Sequence, residues 1–113
     1  MGDRANVRAK SREGVIYFYT HWSGTSLPEV VRQALIRGRD RWNDEAYLNR
    51  IIFSEMTQKY VLEQTGYGIS LYEIESGSPV VEVDHDLQTV TLIRGGEEKV
   101  FSFEEYTKEE KTW

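Results

Sequence analysis

The spacing of apolar residues in this chain changes period twice, and this constrains the fold more than any single motif does. Residues 4–10 alternate between apolar and polar side chains, which is the period of a half-buried strand. From residue 26 to about residue 64, apolar residues return every three or four positions, as on one face of a helix. After Gly68 the period returns to two. The pattern therefore predicts strands at both ends of the chain and helices between them.

The first strand is predicted to continue into a hairpin. Residues 11–14 have turn chemistry, and the stretch that follows them, GVIYFYTHW, is rich in β-branched and aromatic side chains with few polar positions. A strand of that composition is typical of a sheet interior, where both faces are covered. We therefore expect the second strand to lie inside the sheet and not at its edge.

Two helices are predicted in the middle of the chain. Ser26, with Glu29 three residues later, fits a capping box at the start of the first helix. Residues 43–45 start the second helix by the same capping logic, and it is expected to run to about Gln64. Because the link between the two helices is short, we expect them to be neighbours.

Four short strand candidates follow Gly68, and turn residues separate them: ISLYEI, VVEVD, LQTVTLI and EKVFSF. Short links between successive strands favour antiparallel pairing. The predicted fold is therefore α+β, with one mostly antiparallel sheet of about six strands and two consecutive helices packed on one face, in the order ββααββββ. Residues 1–105 are expected to form a single domain, and residues 106–113 a charged tail that frays.

The net charge of −5 is unevenly distributed along the chain. Arg and Lys outnumber Asp and Glu in residues 1–50, whereas acidic residues predominate from residue 73 onward. This asymmetry predicts either two binding faces of opposite charge or acidic strands that keep the sheet in solution. The acidic balance and the lack of a known nucleic-acid motif argue against direct nucleic-acid binding.

Several functional classes are excluded by composition. The chain has no cysteine, so disulfides, zinc–thiolate sites, iron–sulfur clusters and cysteine nucleophiles are ruled out. No apolar run approaches the roughly 20 residues of a membrane span, and the polar N-terminus is unlike a secretory signal. We therefore expect a cytoplasmic protein without membrane contact. No motif implies a cofactor, and residues 84–86, Asp-His-Asp, are expected to form a turn and not a metal site.

The main candidate site lies where the second strand ends and the first helix begins. His21, Trp22 and Ser23 are followed there by Gly24, at a strand end beside a helix N-terminus, where free N–H groups attract anions. The His21 imidazole would gain and lose a proton near neutral pH. The alternative is an ordinary polar turn, in which His21 bonds to a backbone group and Trp22 packs on the sheet.

A second candidate is the arginine-rich end of the first helix. Arg39 and Arg41, beside Trp42, would suit a phosphate group and a stacked base. They are equally typical of an ordinary helix ending, in which Arg39 stacks on the Trp42 ring.

Glu55 and Tyr67 are the remaining candidates. Glu55 falls within the apolar stripe of the second helix, where a carboxylate would serve as an acid or base, or it forms a surface ion pair with Lys59. Tyr67 lies between Gly66 and Gly68, which would display its side chain or simply end the preceding helix.

These segments together resemble small uncharacterised proteins of bacteria and their phages: YTHWSGTSLPEVVRQAL, GRDRW, YLNRIIFSEM and TGYGIS. In those proteins a strand that ends in His, an aromatic or acidic residue and a nearby glycine leads into a helix with proline in its first turn. The similarity covers about residues 15–72. It implies a microbial or phage accessory protein but carries over no activity and no catalytic residue.

Three functions follow from these residues, and we rank them in order. The first is a non-enzymatic binding or regulatory protein that acts through a protein partner or its own oligomer. The second is a binder of a small anionic, nucleotide-like ligand at the His21 turn, with the arginines supplying charge. The third is a small hydrolase or transferase that uses His21 and Glu55 as acid and base.

Overall fold

One mixed sheet of six strands organises the computed structural model, which describes residues 2–113. Its strands lie in the order β3-β2-β1-β4-β5-β6. The β1–β4 pair is parallel and the other four pairs are antiparallel. The strands are β1 (Ala5–Ser11), β2 (Gly14–Thr20), β3 (Tyr67–Ser70), β4 (Val80–Asp84), β5 (Thr89–Arg94) and β6 (Glu97–Ser102). The predicted α+β class is confirmed, and β2 lies between β1 and β3 as expected.

Both long helices pack on one face of the sheet, which we call the front face and which carries Val7 and Phe18. Helix α1 spans Leu27–Arg37 and α2 spans Glu45–Thr57, and one 3₁₀ turn joins them. A short helix, α3 (Phe103–Tyr106), follows β6. Apolar side chains from the helices and the front face form the core, among them Val31, Leu35, Leu48, Ile52, Val81, Val83 and Val90. No helix within residues 2–113 has the length and apolar character needed to cross a lipid bilayer.

The strand predicted from residue 69 to residue 74 is shorter than expected, because the chain leaves the sheet after Ser70. Residues 71–79 then cross the opposite face, which we call the back face, to reach β4 beside β1. The Asn6 side chain holds this crossing, since its amide donates to Ile74 O at 2.7 Å and its oxygen accepts from Ile74 N at 3.3 Å. This crossing makes β1 and β4 parallel and the sheet mixed.

The helix ends differ from those predicted. Ser26 does not cap α1, because its hydroxyl donates to Ser23 O at 3.2 Å and accepts no helix N–H. Helix α2 ends at Thr57 and not near Gln64. The next residues form successive tight turns, and Tyr60 leaves the helical path to stack on the Tyr67 ring, with the ring centres 6.3 Å apart.

Residues 106–113, which the sequence predicts to fray, pack against the start of α1. Tyr106 is fully buried and donates its hydroxyl to Pro28 O at 2.7 Å. The indole N–H of Trp113 donates to Gly24 O at 2.8 Å. The tail is charged in composition, but its two aromatic side chains pack against apolar residues and form hydrogen bonds. The packed structure therefore extends through residue 113.

Opposite charges meet on the back face, which carries Arg8 and Tyr17. The Arg8 guanidinium lies 3.0 Å from Glu82 of β4 and 3.2 Å from Glu73. Burial lowers the pKa of Arg8, but hydrogen bonds to Glu82 and Tyr17 outweigh burial and raise it. Because β1 and β4 are neighbours, basic residues of the first half of the chain pair here with acidic residues of the second half.

Candidate functional site

The turn between β2 and α1 is closed by the chain's own N-terminal segment. Asp3 O accepts a hydrogen bond from Gly24 N at 2.7 Å, and the Asp3 carboxylate accepts one from Thr25 N at 2.9 Å. The Thr20 hydroxyl accepts from Ser23 N at 3.1 Å. The N–H groups of residues 23–25, part of the donor set that the sequence predicts to be free for an anion, are therefore already paired.

Gly24 allows this close approach of the N-terminal segment. A Cβ at this position would lie 2.7 Å from Asp3 O and 2.9 Å from Arg4 O, closer than side-chain atoms approach backbone oxygens. The space beside Gly24 is filled by the chain itself, so the glycine does not open the backbone to a ligand.

His21 lies on the back face, at the end of β2. Its Nδ1 is 2.8 Å from the Tyr19 hydroxyl and 3.4 Å from Arg4 Nε, and a Cβ at Gly2 would approach its Nε2 to 2.7 Å. Successive residues of a strand point to opposite faces, so Thr20 points to the front face and His21 to the back. Burial raises the pKa of the Tyr19 phenol beside it.

The alternative interpretation of this turn predicts that Trp22 packs on the sheet, and this prediction is wrong. Its side chain is 59% exposed, and its ring meets the His21 ring edge-on, with the centres 4.4 Å apart. A Cβ at Gly66 would lie 2.7 Å from the indole nitrogen, and Gly66 has a φ of +97°. Gly66 is therefore needed both for its backbone conformation and for the contact with Trp22.

The front side of the same turn opens into a cleft of about 260 Å³. The hydroxyls of Ser23 and Tyr67 lie 3.4 Å apart in it, and Glu55 reaches it from α2. Its other lining residues are Thr20, Ser26, Leu27, Val30, Met56, Gln58, Lys59 and Tyr60. Of the candidates named from the sequence, the structure brings Ser23, Glu55 and Tyr67 to this cleft and leaves the others outside it.

Glu55 is held by partners other than the predicted Lys59. One of its carboxylate oxygens accepts from Arg37 Nε at 2.9 Å, and the other accepts from the Gln58 amide at 2.9 Å. The ion pair with Arg37 forms because α1 and α2 pack against each other. The predicted acid–base pair is not assembled, since Glu55 lies on the front side of the sheet and His21 on the back face.

Arg39 and Arg41 lie at the far end of α1 from the turn. The Arg39 guanidinium is 4.4 Å from the centre of the Trp42 ring and also bonds to Glu104. The Arg41 guanidinium lies 5.1 Å from the centre of the Tyr47 ring. This is the ordinary helix ending that the alternative interpretation predicts.

The Asp-His-Asp segment forms a turn, as predicted. The Asp84 carboxylate accepts from the backbone N–H groups of Asp86 and Leu87, both at 3.0 Å. His85 Nε2 lies 2.7 Å from Asn49 Oδ1. Within residues 2–113 no group of three His, Asp or Glu side chains is placed to hold a metal ion.

The open edge of the sheet at β3 is not predicted by any of the sequence patterns. This strand pairs with β2 on one side only, and His21 N donates to Gly66 O at 2.8 Å. Hydrogen-bonded pairs alternate along an antiparallel ladder, so Gly68 and Ser70 also face β2. The N–H and C=O groups of Tyr67 and Ile69 therefore point away from the sheet, and they make no hydrogen bond to any of residues 2–113.

We call residues 64–72 the β3 edge. This segment, QTGYGISLY, contains no charged residue in a chain that is 29% charged. Leu71 is 84% exposed, and nearby Leu62 is 90% exposed. The other exposed large apolar side chains on and beside the β3 edge are Tyr60, Val61, Ile69 and Tyr72. In the sequence this segment is marked only by its lack of charge, a property that the longer run of residues 14–28 shares.

No protein-family model matches this chain, and no similar curated protein or solved structure was found.

A groove runs along the β3 edge on the front face, between the strand and α2. It has a volume of about 550 Å³. Its apolar and small polar lining comprises Phe53, Ser54, Thr57, Tyr60, Val61, Tyr67, Gly68 and Ile69, and its charged residues are Arg50 and Glu63. An extended segment beside β3 would have this groove under its front-facing side chains.

The other edge of the sheet is built differently. Strand β6 carries Glu97, Glu98 and Lys99, and charged side chains on an edge strand oppose pairing with another chain. The two edges of the same sheet therefore differ in charge, which is one of the features that govern whether another strand is admitted.

Proposed function

We propose that this chain is a binding protein that acts through protein–protein contact at the β3 edge, where an extended strand adds to the sheet. One observation carries the proposal. An uncharged edge strand presents unpaired backbone groups of Tyr67 and Ile69 to solvent, among exposed apolar side chains.

Such an edge is a liability in a protein that leaves it uncovered. Unpaired N–H and C=O groups template the addition of other strands, and native proteins guard their edges with charges, prolines or covering segments. The β6 edge is guarded by charge and the β3 edge is not. An occupant that covers the β3 edge in the working protein accounts for this difference.

The mode of binding follows from the register of β3. Ile69 lies opposite Phe18 in the ladder, and Phe18 belongs to the core on the front face. Side chains of a docked strand on that face would enter the groove beside Phe53 and Val61. Backbone hydrogen bonds supply affinity in this mode, and alternate side chains supply specificity. We therefore expect the occupant to present apolar residues at every second position.

The test uses twelve-residue random peptides selected on protein that is immobilised sparsely, so that copies do not meet. Ile69→Pro removes one outward N–H and leaves the ladder to β2 intact. Peptides selected on the unmodified chain should lose affinity for Ile69→Pro by about tenfold or more, which is about 1.4 kcal/mol.

Val100→Lys on β6 is the matched control, since Val100 is a 62% exposed residue of the opposite edge. It should bind the peptides like the unmodified chain. The amide resonances of Tyr67 and Ile69 should shift on binding. Equal affinity for Ile69→Pro, or resonance shifts centred on His21 instead, would overturn the proposal.

A further inference from the structure

We infer that the strand seated on the β3 edge is β3 of a second copy of this chain, antiparallel to the first and related to it by a twofold axis at Ile69. This inference rests on the proposed function and names the occupant of that same site.

The register is set by which residues face outward. Tyr67 and Ile69 point their backbone groups away from β2, so an antiparallel pair of two such strands must join residues of this odd-numbered set. Placing Ile69 opposite Ile69 of the second copy puts Tyr67 opposite Leu71. Gly66, with a φ of +97°, ends the regular strand before Tyr67, and the chain leaves the sheet after Ser70. The pairing is therefore short, with Ile69, whose outward backbone groups lie inside β3, on its axis.

The intervening pairs in this register suit close contact. Gly68 lies opposite Ser70 of the second copy, in the positions that carry no direct hydrogen bonds. Such pairs bring Cα atoms to about 4.5 Å, closer than hydrogen-bonded pairs. Because both residues are small, the two strands can approach without a steric clash.

Charge favours a second copy over a charged peptide. Two copies of a chain with net charge −5 repel each other, and a contact through the uncharged residues 64–72 adds no pair of like charges to that repulsion. The groove beside this segment holds one cation, Arg50, and one anion, Glu63. Neither forms an ion pair with any of residues 2–113.

A twofold contact uses the same surface on both copies, so a patch that carries one charge of each sign is complementary to itself. Arg50 of one copy then has Glu63 of the other as its available partner, and the reverse holds at the symmetric position. An acidic or a basic peptide would place a like charge against one of the two residues.

The resulting assembly is a continuous sheet through both copies. The twofold axis of an antiparallel strand pair is perpendicular to the sheet, so the helices of both copies lie on the same face. Exposed Val61 lines the groove of each copy and lies near the seam. The contact therefore removes exposed apolar side chains, Ile69 and Val61 among them, from water.

The first test introduces a charge on the axis. Ile69→Lys would place two like charges opposite each other, and Ile69 is 55% exposed, so folding should be retained. Light scattering and sedimentation should show twice the mass of one chain for the unmodified protein and for Val100→Lys. Ile69→Lys should have the mass of a single chain, with an unchanged circular dichroism spectrum.

The second test exploits the absence of cysteine from the chain. Ile69→Cys would bring the cysteines of two copies to a Cα–Cα distance of about 5.5 Å, which a disulfide can bridge. Mild oxidation should therefore give a covalent dimer of Ile69→Cys and little of Val100→Cys.

The outcomes separate this inference from the proposed function. An unmodified protein with the mass of one chain at every concentration overturns the second copy, whereas peptide binding that is lost in Ile69→Pro would still support the β3 edge as a binding surface. A dimer that persists in Ile69→Lys, or equal disulfide formation at residues 69 and 100, places the contact elsewhere and overturns the inference.

Discussion

At the scale of single residues, two buried polar side chains show how the interior deals with polar groups. Tyr106 is satisfied, since its hydroxyl donates to Pro28 O, and burial raises the pKa of its phenol. His85 is satisfied at one nitrogen only, because Nδ1 is buried and has no partner within residues 2–113. Burial lowers the pKa of His85, and the smaller opposing effects come from Glu45, Asp84 and Asp86.

This lowered pKa predicts a pH dependence of stability. The folded chain resists protonation of His85 while the unfolded chain accepts the proton, so protonation favours unfolding. The free energy of unfolding should decrease as the pH falls from about 7 to about 5, through the ordinary histidine pKa of about 6.5. Urea unfolding across this range should show a flatter dependence for His85→Gln.

Glu29 provides an internal control for that measurement. Burial raises the pKa of its carboxyl, but hydrogen bonds from Gln33, Lys111 and Arg32 outweigh burial and lower it. The stability that these bonds supply is lost below the usual glutamate pKa of about 4.3. The loss of stability below this pH, which comes from Glu29, should remain in His85→Gln. An unchanged slope between about pH 7 and 5 in that variant would contradict the role of His85.

At the scale of elements, helix starts in this chain are set by different means. The Asp44 carboxylate accepts from Tyr47 N at 3.3 Å and caps α2. Ser102 caps α3 in a reciprocal box with Glu105. Helix α1 has no side-chain cap at Ser26, and its start is held instead by the N-terminal segment and by Trp113.

These caps predict a contrast between two alanine variants. Asp44→Ala should lose about 1 kcal/mol of stability, because a helix N–H loses its acceptor. Ser26→Ala should change stability by less than about 0.5 kcal/mol, since the hydroxyl does not cap α1. Denaturant midpoints of the two variants measure the difference, and a larger loss in Ser26→Ala would contradict the assigned cap.

At the scale of the whole molecule, the two ends of the chain meet beside the start of α1. Asp3 bonds to the turn at residues 24 and 25, and Trp113 bonds to Gly24 O. Trp113 also packs against the core. The two chain ends therefore brace the same turn.

The last residue should accordingly matter to stability. Trp113→Ala should lose about 2 kcal/mol, because it removes a packed indole and one of the two hydrogen bonds that Gly24 O accepts. Trp22→Ala, a change of the same type at a 59% exposed tryptophan, should lose less than about 1 kcal/mol. Thermal or urea unfolding compares the two, and equal losses would contradict the bracing role of the C-terminal residue.

Much of the secondary structure could be predicted from the sequence, and most of the site could not. The alternation in residues 4–10 and the helical period after Ser26 depend on neighbours a few positions apart, so they identify β1 and α1 directly. The predicted end of α2 near Gln64 is wrong, because the apolar pattern continues past Thr57. The chain instead turns there, so that the Tyr60 ring stacks on the Tyr67 ring.

The sequence by itself determined the periods, and with them which residues of each strand and helix share a face. Only the tertiary structure decided which elements meet: the parallel pairing of β1 with β4, the separation of His21 from Glu55, and the place of β3 at an open edge. The physical reason is the distance along the chain over which each interaction acts. A period records contacts within one element, whereas the order of strands depends on burial shared between distant segments and on the path of residues 71–79 across the back face.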